Sequence, residues 1–555
     1  MTHSPVPRPG PLPLVRTGRR RTALVAVALA AVLASVGPSS AAVPVGATGP
    51  RPLGIGDPLY PRLGNPGYDV TAYDIALDYR RADRPLSAVT TIDARATTGL
   101  RTLNLDFTQG TVRSVRVDGA PAAFVTAGED LVITPHTRIE RGAGFRVTVR
   151  HTSDPGDGTG GGWVRTRDGL AMANQADAAH RVFPCNDHPS DKARFTFRIT
   201  APKNLTVVAG GLRAGRVHQG ARTTWTYRLA HPMATELAQV SIGRSAVLRR
   251  TGPHGLPVRD VVPAADRKKL AKWLARTPGQ LTWMEKRVGP YPFEDYGVLI
   301  SRATTGFELE TQTLSLFERG LFTDDDFPRW YVESIMLHEL AHQWFGDSVS
   351  PRRWSDLWLN EGHATWYEAL YAEQYGKASL ERRMRLAYEQ SDAWRAAGGP
   401  PAAPRPAEPG KQIGLFRPIV YDGSALILYA LRQRIGRADF ERLEREWVVR
   451  HRDGVASTAD FVRLASEVAG RDLNGFLHPW LYGEKTPKMP GHPDWKPAPK
   501  PDAKPGAKQG TKQGVKPVAK PGAEPGAKPD VKKGAKPVAR SAPHGPAARR
   551  TVKPG

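Results

Sequence analysis

The chain has 555 residues, 40% hydrophobic and 24% charged, the composition of a soluble globular protein long enough for two or three domains. Its net charge of +25 is unevenly placed, with +5 in residues 1–42 and +12 in residues 496–555, so the body carries only about +8 and no nucleic-acid partner is expected for it. A single cysteine, Cys185, excludes an internal disulfide.

Residues 1–42 read as an export signal: Arg16, Arg19, Arg20 and Arg21, an apolar run over 23–36, then Ser39, Ser40, Ala41 and Ala42. About 14 residues at 1.5 Å rise cover roughly 21 Å of a hydrocarbon core of about 30 Å, so cleavage is favoured over anchoring. The paired arginines also leave the twin-arginine route open. A secreted, extracellular protein with no transmembrane anchor after cleavage is expected, and residues 43–60 form a linker.

Residues 61–250 predict a β-domain. Period-two alternation runs through Tyr73, Ile75, Leu77 and Tyr79, through Leu103, Leu105 and Phe107, and through Phe195, Phe197 and Ile199. Residues 251–486 predict a mainly helical domain, opening with Leu270, Trp273 and Leu274 at helical spacing. A proline-rich stretch at 400–409 reads as a surface loop or internal linker. Within the basic segment 487–555, a four-residue repeat starting at Lys496 runs through units such as KPGA and KPVA, in which Pro and Gly prevent a helix. The expectation is a disordered polycation, either a solubilising tail or one that attaches the protein to an anionic cell-envelope polymer.

Chemistry concentrates in YVESIMLHELAHQWFGD, residues 331–347. His338 and His342 fall one helical turn apart, where both imidazoles can meet one metal ion, and Glu339 beside them is placed to act as a general base. Glu361, in WLNEGHATWYEALY on a second amphipathic segment, supplies a third ligand. Two histidines and one glutamate form the ligand set of a hydrolytic site holding one zinc ion per chain. Asp356 reads either as a support for a ligand or as a helix cap, and Cys185 as a small buried apolar residue.

HELAH followed by NEGHATW resembles the HExxH and NEGFA signatures of the gluzincin aminopeptidases, the family of aminopeptidase N and leukotriene hydrolase. The likeness runs through most of residues 60–485, including FPCNDHPSDKA at 183–193, PMATELAQVSIG at 232–243 and VYDGSALILYALR at 420–432. It implies a twisted β-sandwich or saddle domain followed by a thermolysin-like, mainly α-helical catalytic domain, and peptide substrates with a free N-terminus. It also implies that Glu310 in GFELETQT binds the substrate's α-amine, that Gln175 adds a second contact there, and that Tyr421 donates a hydrogen bond to the tetrahedral oxyanion.

The chain departs from that pattern in three places. The family's GAMEN segment is replaced by Phe307, Glu308, Leu309, Glu310 and Thr311; Gly423 and Ser424 replace Lys-Gly; and the sequence carries no match to the closing helical domain of many relatives. A more open cleft is therefore expected, which keeps a zinc endopeptidase as an alternative to the aminopeptidase. A cell-envelope-binding protein dominated by its tail is a second alternative. Glu308 suggests a preference for N-terminal Arg or Lys.

Overall fold

Alternation along Tyr68–Asp78 sends Tyr73, Ile75 and Leu77 into one apolar interior, and the neighbouring strands repeat the pattern. Tyr68–Asp78 pairs antiparallel with Leu86–Ala96 and parallel with Arg194–Pro202, in a register that sets Tyr73 opposite Phe195. Those two rings stack with centroids 4.7 Å apart. The computed structural model describes residues 54–156, 161–376, 378–408 and 412–498, with backbone alone for Gln412 and Ile413. The export signal, most of the basic repeat and part of the proline-rich stretch lie outside these residues.

The first half is β-structure. Ten strands between Tyr68 and Arg228 form one sheet, and a four-stranded sheet (Gly162–Arg165, Leu170–Ala173, Thr206–Ala209 and Val240–Gly243) joins it over a shared core. A further four-stranded sheet, Ser245–Thr251, Pro257–Pro263, Val298–Ser301 and Ser315–Glu318, leads into the helical half. Its last two strands fall where helical periodicity was expected to dominate. Val298–Ser301 is buried along its whole length, so it carries no alternation for a sequence reading to detect.

The described residues hold ten α-helices, the first two before strand Val298–Ser301 and the rest after Ser315–Glu318: α1 Arg267–Leu274, α2 Thr277–Val288, α3 Arg319–Thr323, α4 Arg329–Ala341, α5 Trp358–Gly376, α6 Leu380–Gly398, α7 Asp422–Ile435, α8 Arg437–His451, α9 Thr458–Ala469 and α10 Asn474–Tyr482. Helix α5 packs against both α4 and α7, and Trp344, Trp358 and Trp366 are buried in the same apolar core. The proline-rich stretch is not a free linker: Ala402 is buried in the helical core and its amide donates to Leu481 O at 3.1 Å. The fold is thus a β-rich N-terminal part and a mainly helical part. Both belong to one compact unit.

Candidate functional site

Helix α4 forms because Val332, Met336, Leu337 and Leu340 give it an apolar face, with no Gly or Pro inside. It ends at His342, and the chain reverses through Gly346, whose φ of +132° and approach to Asn360 leave no room for a side chain. The turn matters to the site. His342 Nδ1 donates to Phe345 O at 3.1 Å, and His338 Nδ1 donates to the Glu368 carboxylate at 3.1 Å.

Those two acceptors fix the tautomers: each imidazole keeps its proton on Nδ1 and presents the Nε2 lone pair. Both Nε2 atoms point at Glu361 Oε2, at 3.4 Å from His338 and 3.5 Å from His342. Glu361 Oε2 is buried and has no hydrogen-bond partner. Three lone-pair atoms facing one another repel unless a cation stands among them. Two imidazoles and a carboxylate with their ligating atoms within 4.8 Å fit a zinc ion, so the donor set passes that test. Without the ion a proton takes its place: although burial opposes it, Glu361 and Glu368 lift His338 to about 9, and His342 and His338 pull Glu361, itself penalised by burial, down to about 2, so the metal and this proton compete for the same lone pairs.

The support behind His338 was not legible in the sequence. Glu368 lies seven residues beyond Glu361, two turns along the same face of α5, which was the one available signal. Its other oxygen accepts from Arg383 Nη1 at 2.7 Å, and Arg383 Nε donates to Asp422 at 2.7 Å. Asp422 opens α7 directly after Tyr421. A chain of charged hydrogen bonds therefore runs from His338 to the residue beside Tyr421.

Glu339 shares His342 with a second acid. Ligating atoms of Glu310, Glu339 and His342 all lie within 4.8 Å of one another. Burial, reinforced by Glu310, Glu308 and Glu361, pushes the Glu339 carboxyl well above its usual range against the pull of His342. Glu310 accepts from Gln175 Nε2 at 2.6 Å, so the β-part reaches the same pocket. Gln343, which no sequence signal singled out, holds this segment in place. Its Nε2 donates to Glu310 O at 2.9 Å, and its Oε1 accepts from Thr313 N at 2.9 Å. Tyr421 lies 6.1 Å from His338 between ring centroids, and burial with the nearby carboxylates raises its hydroxyl well above the ordinary phenol, keeping it a donor.

The structure also places Asp356 and Cys185. Asp356 accepts from Thr458 N at 2.8 Å and Thr458 Oγ1 at 2.7 Å, so it ties the segment before α5 to the first turn of α9, whose own N-cap is Ser457, rather than hydrogen-bonding a metal ligand. Cys185 is fully buried, and burial raises its thiol, which leaves it inert.

Comparison with known proteins accords with this geometry. Residues 274–480 match the family model described as the peptidase family M1 domain, and residues 165–237 match the peptidase M1 N-terminal domain. A probable aminopeptidase 1 of Saccharolobus solfataricus is 26% identical over 407 residues, covering 70% of this chain and 50% of that protein. Aminopeptidase 2 of Candida albicans is 27% identical over 318 residues, covering 54% and 33%. The chain thus spans about half the length, or less, of these curated relatives. Among solved structures, an M1 zinc metallopeptidase from Deinococcus radiodurans superposes with a TM-score of 0.66 at 26% identity, covering 80% of this chain and 100% of that one. A mutant of that enzyme bound to a Tyr-Ser-Ala substrate gives 0.65 at 27% identity, covering 79% and 100%.

Proposed function

The chain belongs to peptidase family M1, and from that premise we propose that it is a zinc aminopeptidase that removes single residues from the free N-terminus of peptides. One observation carries the reading: the acid expected to take the α-amine, Glu310, and the acid expected to act as base, Glu339, have ligating atoms within 4.8 Å of each other and of His342, which also belongs to the candidate metal cluster with His338 and Glu361. Amine recognition and bond cleavage are then one residue apart along a bound peptide.

His338, His342 and Glu361 would hold the zinc, which when bound acts as a Lewis acid toward the scissile carbonyl and the attacking water. Glu339 removes a proton from that water and returns it to the departing amine. Glu310, oriented by Gln175 at 2.6 Å, pairs with the substrate's ammonium group and sets the register. Tyr421, held as a neutral donor, gives its proton in a hydrogen bond to the developing oxyanion.

The test is cleavage of one peptide in free and N-acetylated forms by zinc-loaded protein and by E339Q, with products read by mass spectrometry. Stepwise loss of single residues from the free form alone is expected, with E339Q retaining zinc and losing activity by orders of magnitude. Internal cleavage of both forms identifies an endopeptidase instead. We further propose action outside the cytoplasm, on the strength of the basic and apolar N-terminal pattern. Recovery of the protein only from the cytoplasm, with its N-terminus intact, argues against that.

A further inference from the structure

Leu309 forms an antiparallel bridge to Leu316 through two backbone hydrogen bonds of 2.9 and 2.7 Å, and its side chain is buried in an apolar cluster. In extended chain, neighbours on either side of a residue project from the opposite face. Glu308 and Glu310 therefore share the face turned away from that cluster. Glu310 reaches Glu339 and His342, and the charge of Glu308 is felt at His338, Glu339, Tyr331 and Tyr421.

Glu308 is half-buried, and among the described residues no lysine or arginine makes an ion pair with it; burial, reinforced by Glu318 and opposed by His338, raises its carboxyl to about 7. The arginines of the neighbouring elements are committed elsewhere: Arg383 to Glu368 and Asp422, and Arg319 to Asp266. Nearby Glu318 deepens the negative field while accepting from Gly306 N at 2.6 Å. A partly desolvated carboxylate without a counter-charge is costly, and a ligand that brings the missing cation relieves that cost.

We propose that Glu308 is a specificity-determining residue that selects peptides beginning with Lys or Arg, by pairing with the cation at the end of the first side chain. The inference rests on the aminopeptidase reading, with the α-amine at Glu310. Two residues along an extended segment span about 6–7 Å. An extended lysine side chain carries its cation to on the order of 6 Å from the α-carbon, so one residue can meet both acids.

The experiment compares kcat/KM for lysyl and norleucyl substrates, which match in length and differ in charge, using zinc-loaded wild type, E308Q and E308K. The wild type should favour lysyl over norleucyl by at least about tenfold. That ratio should fall toward unity in E308Q, chiefly through KM, and invert in E308K. Raised salt should shrink the wild-type preference. A lysyl-to-norleucyl ratio near unity in the wild type, or one that neither substitution moves, overturns this inference while leaving the aminopeptidase standing. Failure to cleave any substrate with a free N-terminus overturns both.

Discussion

Each of the two histidines has one ring nitrogen whose partner is fixed by the fold, and the two partners differ in kind. His342 leans on a backbone carbonyl, Phe345 O, which no substitution removes. His338 leans on Glu368, a charged acceptor held at about 2 against the penalty of burial by Arg383 and His338 itself. Glu368→Gln keeps the shape but replaces a carboxylate with a neutral amide, which weakens the basicity of His338 Nε2 and frees Arg383 from one of its two acids. Zinc affinity, measured by chelator competition, should fall by about 10–100-fold, and kcat should remain depressed at saturating zinc because Arg383 also holds Asp422 beside Tyr421. Zinc affinity and kcat both within twofold of wild type would show that the Glu368 contact is incidental.

Among the elements, the approach of α5 to α7 decides how Glu361 and Tyr421 meet. A Cβ at Gly362 would stand 2.7 Å from Ser424 Cβ and 3.3 Å from its carbonyl carbon, too close without movement of one helix. Alanine in a helix interior gains about 1 kcal/mol over glycine, whereas overpacking costs about 1–3 kcal/mol, so Gly362→Ala should lose only about 1 kcal/mol in urea unfolding. Activity should suffer more. The displaced atoms lie one residue from Glu361 and three from Tyr421, and a shift of roughly 1 Å between catalytic groups costs on the order of 100-fold. A drop in kcat of at least about tenfold at near-normal stability is expected, and wild-type kcat would show that the helices tolerate the methyl group. The same elements show how far the sequence was readable. His338 and His342 were legible because helical spacing puts them on one face with Glu339 beside them, and Glu361 because it completes a two-histidine, one-glutamate ligand set within a motif that resembles the family's. The β-rich half was legible from alternation. The Gln343 to Glu310 bond, the Glu368–Arg383–Asp422 chain and the buried strand Val298–Ser301 were not, since each depends on residues brought together by the whole fold or on a strand with no exposed face.

Across the molecule, the β-part and the catalytic part are joined by polar contacts that converge near the site. Asp57 accepts from Trp354 N at 2.8 Å, Thr313 Oγ1 accepts from Gly211 N at 2.8 Å, and Gln175 reaches Glu310 at 2.6 Å. Lys192 has the widest reach. Its ammonium donates to Asp347 O at 2.7 Å, Ser348 O at 2.8 Å and Gly454 O at 3.3 Å, satisfying all three donors and tying the β-part to the turn after His342 and to the loop before α9. That turn is the one that sets the His342 tautomer, and Asp347 N closes it on His342 O at 3.0 Å. Lys192→Met keeps the apolar stem and strips away the donors; Asp347 O and Gly454 O still accept from Ser350 Oγ and Ser350 N, so Ser348 O alone loses its partner, at about 1–3 kcal/mol, offset in part because a buried charge is also removed. A net loss of about 1–2 kcal/mol in unfolding free energy is expected, with zinc affinity falling alongside it because the metal ligand and the interdomain contact share one turn. If Lys192→Met lowers stability while zinc affinity holds, the two parts are merely fastened together. If both fall, the β-part helps to hold His342 in the geometry that a metal requires.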